Sequence, residues 1–212
     1  AERFGAGLTV SEMVASDRLV AREAESELKL DRGDAKVFAV QLAGCRAEDM
    51  AHAAEIAEGA GADIIDINMG CPAKKVVGGE AGSALMRDVR HAASLIGATV
   101  AAVSVPVSVK MRLGFSADMR NAPELAALAE AECVRLITVH GLTRCQRYQV
   151  DADLRAIAET VAAVSVPVVA PASIEMLVLD AVYAVPVPVA VPESARLTVT
   201  SWLLTASKVA VK

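Results

Sequence analysis

Asp63–Asp88 reads D-I-I-D-I-N-M-G-C-P-A-K-K-V-V-G-G-E-A-G-S-A-L-M-R-D, and its opening residues alternate in character. Ile65, Ile67 and Met69 fall on one face of an extended chain and Asp66 and Asn68 on the other, the period-2 pattern of a buried strand. Gly70 ends that strand. Cys71, Pro72, Lys74, Lys75, Gly78 and Gly79 follow. The strand therefore delivers a cysteine to the start of a long glycine-rich loop, the kind of segment on which binding and catalytic groups concentrate. The positive charges of Lys74 and Lys75 suit a thiol that works as nucleophile or proton donor. A small apolar residue closing a strand is the plain alternative.

Working outward, the spacing predicts strands at Leu8–Met13, Val37–Leu42, Val105–Met111, Leu136–His140 and Val166–Ala170. Between them the apolar periodicity predicts helices over Ala21–Leu30, Ala47–Ala60, Val89–Ala102 and Leu154–Val164, and one that runs from an Asn121 cap with Pro123 in its first turn to Cys133. Ala1–Gly7 reads as the tail of a further helix that stops at a glycine. Strict alternation of strand and helix implies a parallel sheet with helical crossovers. The segment T-V-A-A-V-S-V-P-V occurs at Thr99–Val107 and again at Thr160–Val168, each copy a helix end, a serine turn and a strand opening on proline. A unit repeated at equivalent boundaries fits a (β/α) barrel, and in so alanine- and valine-rich a chain a compositional origin also fits.

Polar residues decide between barrel and open sheet. Gln41, Asn68, Lys110 and His140 lie near the C-terminal ends of four strands and share the inward parity if Val40, Ile67, Val109 and Val139 pack outward on helices. Four strands then aim polar groups at one rim, where a TIM barrel carries its active site.

The 212 residues are 54% hydrophobic but only 3% aromatic, so one sizeable core is expected, built from Ala, Val, Leu and Ile. The net charge of −5 argues against a general polyanion-binding surface, and any basic contact with nucleic acid must be local. Cys45, Cys71, Cys133 and Cys145 form no C-x-x-C pair and have no histidine cluster beside them, so neither a metal site nor a disulfide framework is expected. A reducing, cytoplasmic setting follows. No leader and no membrane span are expected, since no run of 18 apolar residues is free of proline and charge.

D-I-N-M-G-C-P-A-K-K-V with the downstream G-G-E-A-G-S-A-L-M-R-D resembles the signature of the tRNA-dihydrouridine synthases, most closely their bacterial B-type branch. V-F-A-V-Q-L-A-G from Val37, V-S-V-K-M-R-L-G-F from Val107 and I-T-V-H-G-L-T-R-C-Q from Ile137 match the same family in the same order. The resemblance runs from about Glu2 to about Asp180. It implies an α/β protein of (β/α)8 TIM-barrel type that reduces uridine to 5,6-dihydrouridine in tRNA, with FMN as cofactor and NADPH as reductant. Cys71 then matches the general acid, Gln41, Lys110 and His140 match flavin-holding positions, and Asn68 and Arg112 match positions that meet uracil or flavin. Lys74, Lys75 and Arg144 are candidates for RNA phosphates, or are solvated loop charges. tRNA is the implied partner, with no metal and no membrane, and a monomer is expected.

The family pattern also breaks. Leu142 stands where the family has arginine. Pro171-Ala172-Ser173 replaces its Asn-Gly-Asp turn, and the glycine turn that holds the FMN phosphate has no counterpart in A-V-Y-A-V-P-V-P-V-A-V-P-E-S-A-R. The barrel is thus expected to be incomplete, its first strand missing and its last strand region divergent. Residues 1–180 would be a partial flavin-binding catalytic domain and 181–212 a divergent tail, without the family's helical domain; exposed strand edges then predict aggregation or poor FMN retention. The alternatives left open are a flavin-dependent oxidoreductase acting on a small molecule and a non-catalytic regulatory or interaction fragment.

Overall fold

Parallel strands and covering helices alternate through residues 6–170, the part of the chain that the computed structural model describes. In chain order they are β1 (Thr9–Val10), β2 (Val14–Ala15), α1 (Ser16–Val20), α2 (Ala24–Leu28), β3 (Phe38–Ala43), α3 (Ala47–Gly59), β4 (Ile64–Met69), α4 (Lys74–Gly78), a 3-10 turn (Gly82–Arg87), α5 (Val89–Ala102), β5 (Val107–Arg112), α6 (Ala122–Ala131), β6 (Leu136–His140), α7 (Leu154–Ala162) and β7 (Val168–Val169). Hydrogen-bonded neighbours run β1-β3-β4-β5-β6-β7, all parallel, with β2 also on β3. This is the curled parallel sheet of part of a (β/α)8 barrel.

The period-2 pattern sorts each strand into two faces. Val40, Leu42, Ile65, Ile67, Met69, Val109, Met111 and Val139 point outward into one apolar layer with Met50, Ala53, Ala54 and Ala57 of α3, Leu95 and Ile96 of α5, and Leu125, Ala126 and Ala129 of α6. Alanines on the helix faces let α3 and α6 lie close to the sheet, so a core almost without aromatic rings still packs densely. On the inner face Leu8, Ala39, Ile64, Leu136 and Val169 close the floor of the curl. Above that floor the inward positions turn polar.

The sequence repeat is also a tertiary repeat. Glu58 Oε1, at the end of α3, accepts hydrogen bonds from Ser104 N (2.9 Å), Val105 N (3.1 Å) and the Ser104 hydroxyl. Glu130 Oε1, at the end of α6, accepts from Ser165 N (2.9 Å), Val166 N (3.0 Å) and the Ser165 hydroxyl. Pro106 O and Pro167 O then accept from Ile65 N and Ile137 N of the preceding strands, each at 3.0 Å. Each copy is a turn clamped by a carboxylate from a neighbouring helix.

Four expectations change. Leu8–Met13 is not one strand: Val10 pairs with Ala39 and Val14 with Leu42, so four steps on one side face three on the other. Ser11 causes the break, because its Oγ accepts from Gln41 N (3.0 Å) and donates to Glu12 O (2.8 Å) in place of the ladder. Ala21–Leu30 is not one helix, since Arg22 takes φ 59° between the single turns α1 and α2. Asn121 precedes α6 without capping it; its Nδ2 donates instead to Met86 O at 2.8 Å. The long loop after Gly70 contains α4 and the 3-10 turn. Most of the expected Ala1–Gly7 helix tail, and the whole of 171–212, lie outside the described residues.

Serine hydroxyls hold both Glu58 and Glu130 below the usual carboxylate range. Carboxylates shifted in that direction stabilise the fold above about pH 4.5, and the contribution is lost as pH falls through the lowered folded value. Glu58→Ala is expected to cost about 1 kcal/mol at pH 7 in urea denaturation, kept small by the partial exposure of the site. The difference from the native chain should shrink as the titration is repeated below pH 4.

Candidate active site

At the C-terminal end of the strands the inward polar residues meet in register: Gln41 opposite Asp66, Asp66 opposite Ser108, Asn68 opposite Lys110, and Arg112 opposite His140. Gln41 Nε2 donates to Asp66 Oδ2 at 2.7 Å, and Asn68 Nδ2 donates to Gln41 Oε1 at 2.8 Å. Asn68 Oδ1 accepts from Gly70 N (3.1 Å) and Cys71 N (2.9 Å). The strand end and the cysteine loop are thus joined by side-chain amides.

Cys71 is half-buried, and a second clamp holds it from the other side. Ser83 donates to Cys71 O through its hydroxyl (2.8 Å) and its N–H (3.1 Å). Gly82 makes this approach possible. Its φ is +59°, and a Cβ there would lie 2.9 Å from both Cys71 O and Val76 Cγ1. Arg112, 1% exposed, ties the loop inward: Nε donates to Gly70 O (2.7 Å), and Nη1 donates to Thr143 O (3.2 Å) and Arg147 O (3.1 Å). Its guanidinium also sits 5.2 Å over the Tyr148 ring.

His140 lies buried beside Arg112 and Lys110, with its ring centroid 5.8 Å from that of Tyr148. Burial first, then the two cations, push its pKa down to about 3. The imidazole is therefore neutral at physiological pH, one nitrogen donating and the other accepting. Burial pushes the Asp66 carboxyl up, opposed by hydrogen bonds from Ser108 and Gln41 and by the charge of Lys110.

Lys74 is exposed on α4, beyond the clamped cysteine. Arg144 is half-buried in the loop after β6, and its guanidinium lies 5.3 Å from the centre of the Phe115 ring, which Arg87 also covers at 3.9 Å. Leu142 is buried, and its carbonyl accepts from Leu113 N at 3.1 Å. Among the described residues no group of three His, Cys, Asp or Glu side chains is placed to hold a metal ion, and no helix is long and apolar enough to cross a membrane. A cleft of about 780 Å³ opens between β1 and α2, lined by Thr9, Glu25, Leu28, Lys29 and Arg32 among others, and none of Gln41, Asn68, Cys71, Lys110 or His140 lines it.

The rim brings together Gln41, Asn68, Cys71, Lys110, Arg112 and His140, and it adds residues that sequence reasoning passed over. Asp66 and Ser108 share strand parity with Asn68 and Lys110, so the alternation that found those two also marked these. Gly82, Ser83 and Tyr148 lie in irregular segments, where no periodicity marks them.

The model of the family described as dihydrouridine synthase matches residues 1–177. The chain belongs to the dihydrouridine synthase family. A probable tRNA-dihydrouridine synthase of Rhizobium leguminosarum bv. phaseoli is 55% identical over 173 residues, 82% of this chain and 55% of that protein. One of Rhodobacter capsulatus is 56% identical over 172 residues, 79% of this chain and 52% of the relative. The tRNA-dihydrouridine synthase B of Xanthomonas axonopodis pv. citri is 44% identical over 175 residues, 82% of this chain and 53% of the relative. The chain spans about half the length of the curated relatives it matches. In this member of the family the matched region carries the whole rim described above.

Two outcomes follow from the geometry. Gly82→Ala places a side chain in left-handed backbone against a carbonyl, and thermal melting should show a loss of about 1–2 kcal/mol. For His140 the unfolded chain binds a proton below about pH 6.5 that the folded chain refuses, so stability falls as pH drops from there toward 3, by at most about 1.4 kcal/mol per pH unit. His140→Gln should flatten that part of the stability–pH curve, and NMR of the native imidazole should show no titration between pH 5 and 8.

Proposed function

We propose that this chain supplies the flavin and uracil face of a tRNA-dihydrouridine synthase, an FMN-dependent enzyme that reduces uridine to 5,6-dihydrouridine in tRNA at the expense of NADPH. The observation that carries the reading is the clamped Cys71 at a rim that also holds an amide, an ammonium and a neutral imidazole, in a chain of this family. The rim suits a flavin ring, which needs neutral donors and acceptors along its edge and one cation near the pyrimidine end. When bound, the flavin supplies the hydride that carbon 6 of uracil accepts.

The remaining work falls to side chains. Cys71 gives its thiol proton to carbon 5, so the ring gains one hydride and one proton, and the thiolate left behind is reprotonated from solvent. Lys110 would place a cation beside the flavin's pyrimidine end, and Gln41 and His140 would hold the ring by hydrogen bonds. Neutral His140 can both accept and donate there, which an imidazolium could not. Asn68 and Arg112 border the uracil position, Arg112 acting through the two loops it ties together. The uridine is flipped out of the RNA fold to reach the thiol, and Lys74 and Arg144 meet phosphates nearby. Residues 1–180 are read as a partial flavin-binding domain, and the setting is the reducing cytoplasm.

The test uses the full chain with added FMN, NADPH and an unmodified tRNA transcript, with dihydrouridine read by mass spectrometry. Cys71→Ala is expected to lower product formation about 100-fold or more without changing FMN affinity measured by flavin fluorescence. Lys110→Ala should weaken FMN binding by about tenfold. Full uridine reduction by Cys71→Ala, or flavin reduction coupled to a small molecule but never to tRNA, overturns the assignment.

A further inference from the structure

Among the described residues Asp66 is a buried titratable group for which the reaction above has no use. It faces inward on β4 and accepts from the Ser108 hydroxyl (2.6 Å) and from Gln41 Nε2 (2.7 Å). We infer that Asp66 fixes the orientation of the Cys71 loop through the two side-chain amides of Gln41 and Asn68, and so is a positioning residue for the proton donor.

The argument is one of hydrogen-bond polarity. Asp66 Oδ2 accepts from Gln41 Nε2, and Oδ1 meets the Ser108 hydroxyl, which can give or take a proton, so Gln41 turns its NH₂ toward Asp66 and its carbonyl oxygen toward Asn68. Asn68 must then turn its own NH₂ toward Gln41, which it does at 2.8 Å, and this leaves Asn68 Oδ1 for the loop. The loop offers only donors, the N–H groups of Gly70 and Cys71 at 3.1 and 2.9 Å. An accepting Asp66 Oδ2 at one end and the two loop N–H donors at the other leave a single arrangement for both amides. Reversing either one sets oxygen against oxygen or N–H against N–H inside a buried site, where an unmet polar group is costly. Burial raises the Asp66 carboxyl against Ser108, Gln41 and the charge of Lys110, and a proton held on the Ser108 side leaves Oδ2 accepting from Gln41, so the direction of the chain is the same in either state.

The catalytic meaning of this arrangement rests on Cys71 being the proton donor, but its structural consequence does not. Amide hydrogen exchange of the full chain without flavin or RNA therefore tests it separately from the proposed reaction. Asp66→Ala leaves Gln41 Nε2 without its acceptor and is expected to speed exchange at Gly70 and Cys71 by about tenfold, with Ile137 and Val139 of β6 unchanged. Asp66→Asn keeps one carbonyl oxygen for Gln41 and should retain most of the protection. Gln41→Met should loosen the same two amides, and combining it with Asp66→Ala should add nothing, because both break one chain. Should Asp66→Ala not fold, Asp66→Asn on the Gln41→Met background takes its place and must add no further loosening. Uniform acceleration across the strands, additive effects of the two changes, or unchanged exchange at Gly70 and Cys71 overturns the inference.

Discussion

The parallel pairing of β4 between β3 and β5 is the constraint on which the rest depends. It sets Gln41 against Asp66 and Asn68 against Lys110. Each strand has period 2, so a slip of one residue would turn Ile65 and Ile67 inward and carry Asp66 and Asn68 into the apolar layer under the helices. The apolar face holds the register with many contacts of similar kind. The polar face then inherits that register. A polar rim assembled from four strands needs that inheritance, because no single strand carries enough of its groups.

Charge is handled at the rim by mutual arrangement. Asp66, Lys110, Arg112 and His140 lie on three adjacent strands, one acid among two cations and a neutral ring. The imidazole stays neutral chiefly because it is buried, with the two cations adding to the effect, and two donors and an ammonium oppose the upward push of burial on the Asp66 carboxyl. Arg112 acts mainly through geometry: three of its hydrogen bonds go to carbonyls of Gly70, Thr143 and Arg147, joining the loop after β4 to the loop after β6. Cys71 is therefore held by backbone contacts on two sides and by an arginine that spans both. The opposite end of the sheet is managed more simply, by the Glu58 and Glu130 carboxylates on their serine turns. The clamped turns thus lie at one end of the sheet and the polar rim at the other, the division usual in such barrels.

Sequence legibility followed the same division. The strand Leu136–His140 and the helix Val89–Ala102 could be read to the residue, and the central strand to its end at Met69, because their patterns are local. Leu8–Met13 and Ala21–Leu30 could not. The first is broken by a serine side chain that takes a ladder hydrogen bond from Gln41, and the second by Arg22 in left-handed backbone. Neither event leaves a trace in hydrophobic periodicity. The same reason hid Gly82, Ser83 and Tyr148, whose importance comes only from what they touch.

The amino-acid order alone determined which side chains share a face and that Cys71 follows directly on a buried strand, since both depend on spacing along one segment. It also determined the family, through a long run of matching residues around that cysteine. Tertiary structure decided what those faces meet. Only the folded sheet sets the Asp66 carboxylate, the Gln41 and Asn68 amides and the Cys71 N–H in a line, because the contacts from Asp66 to Gln41 and from Gln41 to Asn68 span 25 and 27 residues of chain. Separations of that length are closed by burial of the whole apolar layer, and no local pattern encodes them.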